Sequence, residues 1–179
     1  MDQCLEMDRL ILRRWREADR DAFAEMNADP RVMRFFPACL TRAESDATVD
    51  RIQKHFDVHG FGFFAAELRE TGEFAGVIGV AHVNFDAFFT PSVEIGWRLG
   101  TAYWNRGLAT EGARACLELA FDTLGLAQVV SFTTHGNLPS RRVMEKLGMR
   151  YAGDFEHPKI PEGHPLRPHV LYRIGSSAR

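Results

Sequence analysis

Tyr103-Trp104-Asn105-Arg106-Gly107-Leu108-Ala109-Thr110-Glu111 is the stretch that decides how this chain is read. Immediately upstream, Val93, Ile95, Trp97 and Leu99 alternate with Glu94, Gly96 and Arg98, so Val93–Leu99 is expected to be a strand with two chemically different faces. Downstream, Ala109, Ala113, Cys116, Leu117, Ala120, Phe121 and Leu124 recur at helical spacing, while Glu111, Arg114, Glu118 and Asp122 fall on the opposite side. That spacing predicts an amphipathic helix over Leu108–Leu124. The stretch is therefore a strand-to-helix turn with Gly107 at its tight point. A helix opening directly from such a turn leaves backbone N–H groups unpaired, and its dipole adds partial positive charge there, which suits a phosphate or pyrophosphate. The turn is not a P-loop, because no Gly-Lys-Ser/Thr follows, and a dinucleotide fingerprint would need three glycines at set spacing. The alternative is a strand-to-helix turn with no ligand.

Composition narrows the class. A length of 179 residues suits one domain over 1–179, and 45% hydrophobic with 26% charged residues is close to the globular average. Lys plus Arg number 22 against 24 Asp plus Glu, a formal charge of −2, so there is no global pull towards nucleic acid or an anionic membrane. Cys4, Cys39 and Cys116 are odd in number and far apart, with neither metal-ligand spacing nor a disulfide framework. A reducing, cytoplasmic setting is expected, with Cys116 a buried thiol on the apolar helix face. The N-terminus is charged from Asp2 and lacks an apolar signal core, and the apolar run Ala75–Val83 is too short to span a bilayer.

Along the rest of the chain, Leu10–Arg13 reads as a first strand, and Ala18, Ala22, Phe23 and Met26 as a helix ended by Pro30. Thr41-Arg42-Ala43-Glu44 has the pattern of a capping box opening a helix to about His59 and Gly60. Phe63–Leu68 and Phe74–Val83 form a hairpin about Glu70-Thr71-Gly72-Glu73. Gln128–Thr133 is a β-branched strand; Asn137 caps a short helix, with Pro139 in its first turn and Gly148 at its end. Met149–Phe155 and Val170–Ile174 are the last strands, separated by a Pro-rich loop from His157 to His169. The order of elements gives a mixed α/β domain.

Three pieces now stand in order: Val93-Glu-Ile-Gly-Trp-Arg-Leu99, Tyr103-Trp-Asn-Arg-Gly-Leu-Ala-Thr-Glu111, and Asn137-Leu-Pro-Ser-Arg-Arg-Val-Met-Glu-Lys-Leu-Gly-Met149. Together they resemble the GNAT superfamily of acyl-CoA-dependent N-acetyltransferases, and most of all its RimJ/RimL-like branch, which includes ribosomal-protein N-terminal acetyltransferases. The resemblance covers nearly the whole chain. It implies a GNAT-like fold: a central, mixed, mostly antiparallel sheet of about six to seven strands with helices on both faces. Two central parallel strands would splay apart to hold the acyl-CoA. The family's pyrophosphate turn carries Gln or Arg, two residues, Gly, one residue, then Gly or Ala. Gly107 and Ala109 match, while Trp104 stands first, as it often does in the RimJ/RimL-like branch. By resemblance, Trp104, Asn105, Arg106, Gly107, Leu108, Ala109 and Thr110 form the turn that holds the pyrophosphate. Trp97, Arg98 and Leu99 would offer strand-edge backbone groups to the pantetheine arm.

The chemistry implied is direct attack of an amine on the thioester carbonyl of acetyl-CoA, with no metal. It needs a proton acceptor for the ammonium, a donor for the oxyanion, and a proton for the departing thiolate. Glu94 is the base candidate: it is the one carboxylate inside an otherwise apolar strand, where desolvation raises its pKa, and the branch carries Glu at this position. The alternative for Glu94 is a structural ion pair. Many GNAT enzymes place a Tyr acid where this chain has Met144, which has no proton to donate. In the RimJ/RimL-like branch a Ser at the position of Ser140 takes the role; alternatively, Ser140 only satisfies a backbone group of its helix. Asn137 is read as both N-cap and pantetheine partner, or as a cap alone. The oxyanion donor is expected to be a backbone N–H near Arg98 or Leu99.

The acceptor is an amine-bearing substrate, either a protein N-terminus or a small molecule. His157, His164 and His169 wall the acceptor site or, as three loop histidines, are simply exposed. Phe85, Phe88 and Phe89 line the cleft or, as slightly favoured, close the core. Phe35-Phe36-Pro37 touches the acceptor or staples the next helix. A non-catalytic acyl-CoA-binding module is the rival class; it would keep Gly107 and Asn137 without needing Glu94 or Ser140. Relatives of this family are often monomers or dimers, so a monomer or homodimer is expected, and no sequence pattern decides between them.

Overall fold

Residues 4–178 are described in a computed structural model, and their strands join in one eight-stranded sheet. The elements in chain order are β1 (Leu5–Glu6), β2 (Leu10–Arg13), α1 (Asp19–Ala28), α2 (Arg42–His59), β3 (Phe63–Leu68), β4 (Phe74–His82), β5 (Val93–Leu99), α3 (Leu108–Glu118), β6 (Gln128–Thr134), α4 (Leu138–Lys146), β7 (Arg150–Glu156) and β8 (Pro168–Gly175). The sheet order is β1-β2-β3-β4-β5-β6-β8-β7, and every neighbouring pair is antiparallel except β5 and β6. This is the mixed α/β arrangement expected, with one more strand than the pattern suggested. The extra strand is Leu5–Glu6, paired with Leu12 and Ile11 at the sheet edge, and two residues are too few to show a period.

Alternation sends the two faces of the sheet into two cores. Ile78, Val80, Ile95, Val129 and Tyr172 pack under α3 and α4, through Ala113, Cys116, Leu117, Met144 and Leu147. Ala65 and Val77 pack on the other face with Trp15, Phe23, Met26 and Val49 of the α1–α2 layer. Gly112 lets α3 settle closely on the sheet, since a side chain there would come within 2.6 Å of Ile78. Cys116 is fully buried, and burial pushes its thiol up, as a structural rather than a reactive cysteine requires. The helix predicted to Leu124 stops being α-helical at Glu118 and continues as a π-type turn over Leu119–Thr123. That wider turn buries three successive residues, Leu119, Ala120 and Phe121, which a 3.6-residue stripe would not.

The parallel pair is the part that positions the site. β5 shares seven register pairs with β4, and β6 shares seven with β8, but β5 and β6 meet only at Glu94 and Val130. Beyond that point the Ser131 hydroxyl bridges to the carbonyl of Ile95 at 2.9 Å. The two strands then separate, opening a gap in the middle of the sheet. Among the described residues no helix is long and apolar enough to cross a membrane.

Candidate active site

The gap leads to the turn before α3. Asn105 (φ 57°) and Gly107 (φ 76°) both take the left-handed conformation, one natural for glycine and tolerated by asparagine. α2 and α4 begin with side-chain caps: Thr41 and Glu44 complete the capping box, and the Asn137 carbonyl accepts from the Ser140 N–H at 3.3 Å. α3 begins at Gly107 with no side-chain cap. Its first amides therefore remain available to an anion. Leu108, fully buried, anchors the helix start, while Asn105, Arg106 and Gly107 stay exposed. Ala109 and Thr110 follow, half-buried, in the first helical turn.

Two side chains tie this turn to the rest of the fold. The Trp104 indole N–H donates to the Leu99 carbonyl at 2.8 Å, tying the turn to the end of β5. Arg9, between β1 and β2, donates to the Arg106 carbonyl at 2.6 Å and pairs with Glu111 at 2.6 Å. Arg9, Gly107, Thr110, Arg114 and Lys146 line a recess of about 530 Å³, within the range of ligand pockets. Arg114 was placed on the outward face of its helix, and it is that face which meets this recess. Arg9 and Lys146 carried no local signal, because they come from segments remote from α3.

Backbone directions in β5 follow from the Ile95 carbonyl, which faces β6. Alternation turns Trp97 and Leu99 the same way, whereas Arg98 faces β4 and lies opposite Val77. With the Leu99 carbonyl already held by Trp104, Trp97 presents the backbone edge most open to the gap. Across the gap, the Asn137 amide donates to the Thr133 hydroxyl at 2.9 Å, so both ends of the Asn137 side chain are engaged with the protein.

Glu94 opens β5 on the face turned away from α3, opposite Ala81 on one side and Val130 on the other. None of the ion pairs or side-chain hydrogen bonds among the described residues involves it. Burial raises its carboxyl to about 7, opposed only by the charge of Lys159. Lys159 itself donates to Asn84 at 2.6 Å. Ser140 is half-buried in the first turn of α4, and its hydroxyl has no hydrogen-bond partner among the described residues. Met144 is buried in the core under the sheet.

Arg98 shares the Glu94 face. It donates to the fully buried Asn27 at 2.5 Å, and its guanidinium lies 4.2 Å from the centre of the Phe36 ring. Among the described residues no carboxylate pairs with it and its Nε has no partner, and burial draws its pKa down to about 10. Phe36 therefore lies over Arg98. On the other side of Glu94, Phe85, Phe89, Phe132 and Phe155 form an aromatic cluster with His157 and His169. These rings stand apart from both main cores, contrary to the reading of Phe85 and Phe89 as core closure; Phe88 is 64% exposed. His169 is buried and His157 half-buried, because their tilted rings pack against the aromatics and lie 4.9 Å apart, centre to centre. Burial holds His157 neutral, at a pKa of about 4. The reading of these two histidines as exposed is corrected by that packing; His164 stays in the loop.

A family model described as an acetyltransferase (GNAT) domain matches residues 9–150. The chain belongs to the GNAT family. It is 32% identical over 168 residues to the uncharacterized N-acetyltransferase YnaD of Bacillus subtilis, covering 93% of each chain. It is 33% identical over 147 residues to the FsC-acetyl coenzyme A-N(2)-transacetylase of Aspergillus fumigatus, covering 76% of this chain and 60% of that protein. Among solved structures, the GNAT-family acetyltransferase from Bacillus anthracis superposes with a TM-score of 0.80 at 27% identity, over 98% of this chain and 99% of that one. The GNAT acetyltransferase is thus an enzyme class this chain shares with relatives along nearly its full length.

Proposed function

We propose that this GNAT protein transfers the acetyl group of acetyl-CoA to a primary amine of modest basicity, by direct attack at a site centred on Glu94. Acetyl-CoA would lie with its pyrophosphate on the amides from Asn105 to Thr110 and its pantetheine in the β5–β6 gap. Trp97 would pair with the pantetheine amides, and Arg114 and Lys146 would stand beside the phosphates. The observation that carries the proposal is the Glu94 carboxyl: unpaired, raised to about 7, and placed where β5 and β6 part.

At neutral pH such a carboxyl exchanges protons readily. It takes one from the acceptor ammonium, the freed amine attacks the thioester carbon, and a backbone N–H in the gap receives the oxyanion. Collapse expels the CoA thiolate, and the Ser140 hydroxyl relays to it the proton that the attacking nitrogen loses on becoming an amide, so the serine ends as it began. The base strength also discriminates between amines. An α-amine, with a pKa near 7.7–8.0, lies about one unit above Glu94, whereas a lysine-type amine near 10.4 lies more than three units above, an extra cost of roughly 3–4 kcal/mol. A protein N-terminus or a small molecule with a weakly basic amine therefore fits better than a polyamine. Arg98 points the same way, since a half-buried cation with no carboxylate partner among the described residues favours an acceptor with an anionic or carbonyl-rich end.

The rival, a non-catalytic acyl-CoA-binding module, gives no reason for a Glu94 carboxyl that burial raises to about 7 with no ion-pair partner among the described residues. The test is thiol release from acetyl-CoA with a panel of peptides and amines that differ in amine pKa. Transfer is expected to favour α-amines. Binding of acetyl-CoA without transfer to any acceptor would support the rival.

A further inference from the structure

The structure assigns a transition-metal site to His55, His59 and His82, at the end of the sheet away from the pyrophosphate turn. His55 and His59 lie four residues apart, on one face of the last turns of α2. His82 is the last residue of β4. Each of the three offers a ring nitrogen within 4.8 Å of the other two. The ring centroids are 4.4, 4.5 and 5.4 Å apart.

Second contacts prepare the ligand atoms. His55 Nδ1 lies 2.7 Å from the Phe61 carbonyl, which can only accept, so Nδ1 carries the proton and Nε2 keeps its lone pair. Metal-binding histidines are oriented by this kind of backbone contact. The backbone N–H of His82 donates to the same Nε2 at 3.2 Å, confirming its acceptor character; a metal would take over that lone pair. His55 Nε2 and His82 Nδ1 are 3.3 Å apart. Two ligands about 2.0–2.1 Å from one tetrahedral ion stand roughly 3.3–3.4 Å from each other, so this edge already has the right length. His59 and His82 are exposed, which gives an ion access and leaves the fourth position to water.

Three imidazoles select a late first-row divalent ion, of which Zn²⁺ is the natural choice, over Mg²⁺ or Ca²⁺. The ion would pin the C-terminal end of α2 to the end of β4. His82 lies opposite Val93, on the other face of the sheet from Glu94, so the ion would brace the strand next to β5 and take no part in acetyl transfer.

Metal-stripped protein is titrated with ZnCl₂ by calorimetry and with CoCl₂ by visible absorption. One ion per chain is expected, with the absorption of tetrahedral or five-coordinate Co²⁺. His59→Ala, which removes an exposed ring with no hydrogen bond among the described residues, and His82→Ala should each weaken binding by at least tenfold; His135→Ala, a distant exposed histidine, should not. A higher melting temperature on adding Zn²⁺ should vanish in the same two variants, while acetyl transfer by His59→Ala stays at the wild-type level. Absence of stoichiometric binding to the folded wild-type protein, or binding that survives in both variants, overturns the assignment.

Discussion

Replacing Glu94 by Gln keeps the shape of the side chain and removes its ability to accept a proton. General-base assistance contributes about 10²–10⁴ in rate, so turnover with an α-amine acceptor should fall by that factor, or about 3–5 kcal/mol in barrier. Acetyl-CoA affinity should change little, because the β5 groups that face the gap are backbone groups of Trp97 and Leu99. The pH profile sharpens the test. A base raised to about 7 is protonated and idle below that pH and ionised above it, so kcat/KM of the wild type should climb through pH 7. In Glu94→Gln that limb should disappear. Stability should move in the opposite sense. A carboxyl raised from 4.5 to about 7 on folding favours its protonated form in the native state, so it costs nothing below pH 4.5 and penalises the fold increasingly up to about pH 7. The full difference is an upper bound of about 3 kcal/mol. Urea unfolding should therefore show Glu94→Gln to be more stable than wild type at pH 8, by something on the order of 1–3 kcal/mol, and nearly equal to it at pH 4.5. Turnover within a fewfold of wild type, or an unchanged ascending limb, would refute the assignment of Glu94 as base.

Ser140→Ala should lower turnover by about 10² while leaving acetyl-CoA affinity intact and stability within about 0.5 kcal/mol, since its hydroxyl has no hydrogen-bond partner among the described residues; steady-state kinetics beside thermal melts decide this. Gly107→Ala forces a side chain into φ 76° and should cost about 1–2 kcal/mol of stability, together with at least a tenfold loss in calorimetric acetyl-CoA affinity. Arg114→Ala and Lys146→Ala should each weaken CoA binding roughly tenfold but hardly affect dephospho-CoA, as expected of charges facing the 3′-phosphate; equal losses for both ligands would reject that role. Trp104→Phe removes the indole donor to the Leu99 carbonyl and should lower stability by about 1 kcal/mol in urea unfolding; an unchanged midpoint would mean the contact carries no net energy.

Elements with a local cause were legible in the sequence. The Thr41–Glu44 box, the Asn137 cap and the left-handed glycines at 60, 107 and 148 each act within a few residues of themselves. Glu94 was visible for the same reason: an acidic residue within an apolar alternation predicts desolvation before any neighbour is known. The features that escaped are long-range. Arg9 reaches Glu111 across 102 residues, and Arg98 reaches Asn27 across 71. The aromatic wall draws on Phe85, Phe132, Phe155 and His169 from four separate segments, so a loop rich in proline and histidine gave no sign that two of its histidines would be packed. The helical spacing of His55 and His59 is readable, but their partner His82 arrives only through the sheet. Trp104 matched a family position, yet its bond to Leu99 became apparent only in the fold.

The central claim is that the gap between β5 and β6 and the uncapped start of α3 together hold acetyl-CoA. Calorimetric titration of the purified protein with acetyl-CoA, beside CoA, ATP and a pantetheine fragment, measures this directly. Saturable one-to-one binding is expected for acetyl-CoA and CoA, weaker for either half alone, and weakened by Gly107→Ala. Absence of binding to folded protein, or equal affinity for ATP and acetyl-CoA, would contradict the account.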